Sequence, residues 1–97
     1  MSEVSVIDWH VTPFRAERFF EIWEPAAERS LGFGAKSWTL TRSIDDPLLF
    51  RQTTVWENRA DFERYWYSDE VSAKRTEAIT YYCKPVLPAW HTQVASG

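Results

Sequence analysis

Residues 4–11 alternate, with Ile7, Trp9 and Val11 on one side and Val6, Asp8 and His10 on the other, the period of a half-buried strand. The period then lengthens. Thr12 and Pro13 supply a cap followed by a fixed φ, and residues 14–30 place Phe19, Ile22, Trp23, Ala26 and Ala27 along one helical face. Pro25 inside this run predicts a bend or short interruption, because it lacks a donor and crowds the preceding turn. Gly32 and Gly34 suit a left-handed cap at the end of the helix. Alternation returns in residues 36–42, where Trp38 and Leu40 oppose Ser37, Thr39 and Thr41. Ile44-Asp45-Asp46-Pro47 is turn chemistry, and residues 48–56 complete a hairpin as the third strand.

Residues 55–75 hold the densest run of rings. Asn58 caps a second helix, and Asp61 favours its positive end. Phe62, Tyr65 and Trp66 follow at i, i+3 and i+4. Ser68, Asp69 and Glu70 read as a helical restart, after which Val71, Arg75, Ala78, Ile79 and Tyr82 share one stripe. A cation thus falls in register with apolar positions. Pro85 and Pro88 end the helix, and residues 89–95 read as a last strand with Trp90, Thr92 and Val94 against His91, Gln93 and Ala95, frayed at its end. The order strand, helix, strand, strand, helix, strand predicts one α+β domain over residues 1–97. Its topology is the ferredoxin-like βαββαβ arrangement, an antiparallel sheet with two helices on one face.

Composition adds constraints. A domain of 97 residues hides only roughly two thirds of its unfolded surface, a shortage that a homodimer relieves. The 44% hydrophobic and 26% charged content is that of a globular domain and excludes disorder. The 16% aromatic content, with six Trp, exceeds what packing alone requires and points to a ring-lined cavity. A net charge of -3 with no basic stripe argues against nucleic acid. Cys83 stands alone, which excludes an internal disulfide framework and a Cys-based zinc site. The acidic, alternating N-terminus reads as neither signal peptide nor membrane anchor, so a cytoplasmic protein with no membrane partner is expected. There is no glycine-rich phosphate loop and no Gly-x-Ser-x-Gly elbow.

Among the polar candidates, Arg75 has two readings. It is either a structural ion pair with Glu21, Glu24 or Glu28, or a handle for a ligand oxyanion. Trp56 and Tyr65 are core or ligand shelf, and Trp9, Trp38 and Trp66 core or pocket wall. His10 and His91 are the only imidazoles and lie on strands expected to be neighbours. His10 points away from the helices, towards solvent or a facing subunit. With Asp8 the two match a two-His-one-carboxylate set by type only, and no metal is expected.

Val55-Trp56-Glu57 at the end of the third strand, then Phe62, an aromatic pair, Ser68-Asp69 and a polar residue late in the second helix resemble the antibiotic-biosynthesis monooxygenase family of dimeric α+β barrels. The resemblance implies a dimer whose sheets face each other, with a cavity between helices and sheet in each subunit. It also implies oxidation of polyketide or quinol-type molecules by molecular oxygen, with no cofactor. Carried over by position, the strand amide of that family is Gln52, its Trp is Trp56 and its Arg is Arg75. Its Tyr falls on Phe62, which has no hydroxyl; Tyr65, one turn on, is the replacement. Haem-degrading members carry a His where this chain has Arg75 and an Asn where it has Ile7, and a protonated guanidinium does not ligate iron.

The resulting expectation is a homodimeric, cofactor-independent monooxygenase acting on a small, flat aromatic substrate. Arg75, Tyr65 and Gln52 would carry the chemistry, and Trp9, Trp56, Phe62 and Trp66 would bind the rings. The alternatives are a dimeric binding or accessory protein for a hydrophobic metabolite, and an isomerase or cyclase.

Overall fold

The computed structural model describes residues 2–97. Strand β1 (Glu3–His10) leads into helix α1 (Ala16–Glu28), and a 3-10 turn (Arg29–Phe33) leads into β2 (Ala35–Arg42). Strand β3 (Leu49–Trp56) is followed by helices α2 (Arg59–Trp66) and α3 (Asp69–Ala78), and β4 (Ala89–Thr92) closes the order. The strands form one four-stranded antiparallel sheet in the order β2-β3-β1-β4. This is the expected ferredoxin-like α+β fold, its second helix divided in two at Ser68.

Directly paired residues of an antiparallel ladder share a face, so the register sorts the side chains. Ser5 pairs with Thr54, Ile7 with Gln52 and Trp9 with Phe50, and these six are buried beneath the helices. Trp38, Leu40 and Trp90 fall on the same face through their partners Thr54, Gln52 and Ser5. The opposite face carries Val4, Val6, Thr53 and Val55 around an ion pair of Asp8 with Arg51 at 2.7 Å. That guanidinium holds the Asp8 carboxyl below the usual carboxylate range.

Several boundaries differ from the sequence expectation. Helix α1 begins at Ala16 and not at residue 14, because the Arg15 amide first closes a turn onto the Thr12 carbonyl at 3.1 Å. Phe14 takes a left-handed φ of 69° within that turn. The helix also runs through Pro25 without interruption; Pro25 and Glu21 lie on its exposed side, where the ring and the carbonyl it leaves unpaired face away from the core. Gly34, at φ 103°, caps the 3-10 turn. Asn58 caps α2 through the Asp61 amide at 3.1 Å, and Ser68 caps α3 through the Val71 amide at 3.2 Å. Strand β4 stops at Thr92, short of residue 95, because its partner β1 has run out at Glu3. Among the described residues, no helix is long and apolar enough to cross a membrane.

Candidate functional site

Alternation along β3 sends Gln52, Thr54 and Trp56 inward, and the i, i+3, i+4 spacing of α2 lowers Phe62, Tyr65 and Trp66 onto them. Gln52 stands at the centre, 1% exposed. Its Oε1 accepts from the Trp23 indole at 2.8 Å, and its Nε2 donates to Thr54 Oγ1 at 3.3 Å and to the Tyr65 hydroxyl at 3.4 Å. The Tyr65 hydroxyl donates in turn to the Ala26 carbonyl at 2.7 Å. One amide therefore ties β3 to α1 and α2. Trp56, fully buried, donates to Ser5 Oγ at 3.0 Å, and its ring lies 5.6 Å from that of Tyr65 and 5.8 Å from that of Phe62.

Burial pushes the Tyr65 phenol up to about 12, with smaller opposing effects from the Gln52 hydrogen bond and the Arg75 charge. At neutral pH it is a hydrogen-bond donor and not a base. Because the folded chain holds this proton more tightly than the unfolded one, the resulting stability is fully present below about pH 10 and is lost as pH rises through about 12. Alkaline unfolding is thus expected to cost wild type up to about 3 kcal/mol more than Tyr65→Phe across that window. Urea midpoints at neutral pH and at about pH 11 check this, and parallel pH profiles for the two proteins would refute it.

Arg75 lies on the α3 stripe, half-buried. Its Nη2 donates to the Trp66 carbonyl at 2.8 Å, at the end of α2, and to Ser72 Oγ at 3.1 Å. Its guanidinium carbon sits 4.5 Å from the centre of the Trp66 ring. No carboxylate pairs with it among the described residues. Glu21 instead binds Arg18, and Glu28 accepts from Trp38. The Nε of Arg75 is buried with no partner, as is the indole Nε1 of fully buried Trp9. The Trp66 ring also stacks against Phe62 at 5.6 Å and 17°.

Phe62 and Trp66 also floor a surface groove of about 250 Å³, walled by Arg59, Glu63, Tyr67 and residues 86–88 with Trp90. All seven candidate residues are thus neighbours across one wall. Gln52, Tyr65, Trp9 and Trp56 lie sealed behind it, while Phe62 and Trp66 border the groove and Arg75 rests against Trp66 outside the groove's lining. Two participants escaped the sequence reading. The sequence shows Trp23 only as part of an apolar face, although a buried indole needs an acceptor, which Gln52 supplies. The groove wall comes from a segment without regular structure, for which periodicity gives no signal.

The two imidazoles are far apart. His91 flanks Val4 and His10 flanks Leu49, six positions apart along β1, about 20 Å by strand rise. Their strands are neighbours, as the sequence predicts, but the register puts the two side chains at opposite ends. No group of three His, Cys, Asp or Glu residues among the described ones is arranged to hold a metal ion.

No protein-family model and no curated protein matches the sequence. Solved structures do match in fold. A protein from Nitrosomonas europaea, described only provisionally as an antibiotic biosynthesis monooxygenase, has a TM-score of 0.89 at 18% identity over 96% of this chain and 90% of its own. SnoaB from Streptomyces nogalater, a cofactor-independent oxygenase solved as a mutant, has a TM-score of 0.83 at 16% identity, covering 98% of this chain and 95% of its own. A conserved protein from Methanosarcina mazei Go1 reaches 0.85 at 13% identity over 94% and 91%. At such identities the likeness is one of fold.

Proposed function

We propose that this chain acts as a homodimer that oxidises a flat phenolic, polyketide or quinol-type molecule with molecular oxygen and no cofactor. The observation that carries the proposal is Arg75, a guanidinium with no carboxylate partner among the described residues and one buried N–H unused, laid against the stacked Trp66 and Phe62 rings. Such a group stabilises the enolate or phenolate formed when a polyphenol loses a proton. The electron-rich carbon then reacts with oxygen. An activated methylene becomes a carbonyl; one oxygen atom stays in the product and the other leaves as water with the two hydrogens, so no external reductant is needed.

Gln52 and Tyr65 take a supporting part in this account, since each spends its polar atoms on the protein. They fix the height of α1 and α2 over the sheet, and so the placement of the rings. SnoaB, similar in fold, is an oxygenase without cofactor, which supports the reading. Oxygen uptake with a panel of anthrones and quinols tests it. Uptake above the Arg75→Ala background is expected, and none across the panel would sink it.

The sealing of Gln52 and Tyr65 favours a second reading, a binding protein that holds such a molecule unchanged. Quenching of Trp fluorescence with no product formed would select it.

The dimer is assigned to the sheet face bearing Val4, Val6, Thr53 and Val55. A lysine there would bury an unpaired charge, at about 3 kcal/mol or more. Val6→Lys is therefore expected to weaken dimerisation at least about a hundredfold in sedimentation experiments. An unchanged dimer would move the interface elsewhere.

A further inference from the structure

The ring of Trp66 sits in surroundings that resemble a binding site for a flat molecule. Phe62 stacks on it at 5.6 Å, the Arg75 guanidinium lies 4.5 Å from its centre, and the rings of Trp23, Trp9 and Tyr65 stand at 6.1, 6.3 and 6.5 Å. Two residues of this box carry polar atoms that lack what they need. Trp9 Nε1 and Arg75 Nε are buried donors with no acceptor, and the Trp66 indole, whose one polar atom is itself a donor, offers them none. Trp66 is also the last residue of α2 and borders the groove of about 250 Å³, so its side chain has somewhere to go without unwinding a helix.

We infer that Trp66 is a gate whose indole occupies the seat of a flat, oxygen-edged ligand. When the ligand binds, the indole swings into the groove, and the ligand lies between Phe62 and Arg75 with its oxygens accepting from Arg75 Nε and Trp9 Nε1. The inference rests on the reading above, which places the substrate at this wall, and it adds the gate and the second donor. The ligand class follows from the donors. Both only donate, and one belongs to a cation, so a polycyclic phenolate or a quinone satisfies them while a bare hydrocarbon of the same shape does not.

Wild-type protein labelled with fluorotryptophan, titrated with a dihydroxyanthraquinone and with anthracene, provides the test. The fluorine resonance of Trp66, assigned by its loss in Trp66→Phe, is expected to move to a solvent-exposed position with the quinone. The quinone is expected to bind at least about tenfold tighter than anthracene, and Trp66→Ala, with the gate removed, to bind the quinone about tenfold tighter than wild type. The measurement on wild type stands by itself if the alanine variant does not fold.

A Trp66 resonance that stays fixed on binding, equal affinity for the two probes, or no binding of the quinone would each overturn the inference. Oxygen uptake with a reduced anthrone, followed in the same preparations, separates it from the oxygenase reading. Displacement of Trp66 without uptake keeps the gate and refutes the oxygenase, whereas uptake with Trp66 fixed does the reverse.

Discussion

Gln52→Met is expected to destabilise the fold by about 3 kcal/mol, measured as a fall in the urea midpoint. Methionine nearly conserves the volume, so the cavity contribution is small. What is lost is polar. The Trp23 indole N–H, bonded at 2.8 Å in a fully buried setting, is left with no acceptor, and Thr54 and Tyr65 each lose a donor. Tyr65 keeps its bond to Ala26, which limits the damage on that side. Adding Trp23→Phe to Gln52→Met removes both partners, so the pair should cost clearly less than the sum of the single changes. A loss below about 0.5 kcal/mol for Gln52→Met would show that the amide does not hold these elements together.

Arg75→Ala is expected to lower the turnover number of the oxidation by about 10²- to 10³-fold, the usual effect of removing a group aimed at developing negative charge. Substrate affinity should fall less, because the ring of Phe62 remains as a stacking surface. Arg75→Lys is not a conservative control. An ammonium keeps the charge but loses the planar fork that reaches the Trp66 carbonyl and Ser72 and lies over the indole. Lysine should therefore recover only part of the rate. Loss confined to KM, with turnover intact, would assign Arg75 to ground-state binding.

Periodicity made much of this legible. Alternation in β1 and β3 put Ile7, Trp9, Gln52 and Trp56 on the face that the structure buries, and the spacing of Phe62, Tyr65 and Trp66 gave the side of α2 that meets them. The cap at Asn58 stands where the sequence put it, and the restart expected at Ser68 is there, with Ser68 itself as the cap. Periodicity says which way a side chain points, however, and not what fills the space ahead of it. The polar contacts of Gln52 depend on Trp23, 29 positions away, and the shorter hydrogen bond of Arg75 goes to a main-chain carbonyl, which carries no sequence signal. Register was the other blind point. His10 and His91 sit on adjoining strands, but only the pairing reveals that they occupy opposite ends.

In the proposed reaction one atom of molecular oxygen enters the substrate without help from a cofactor. Single-turnover oxidation of an anthrone under isotopically labelled dioxygen, with the product examined by mass spectrometry, tests this most directly. One labelled oxygen per product molecule is expected, retained as a carbonyl, with one dioxygen consumed per product and the other labelled atom recovered in water. Product without label, or hydrogen peroxide released in proportion to the oxygen consumed, would contradict the account.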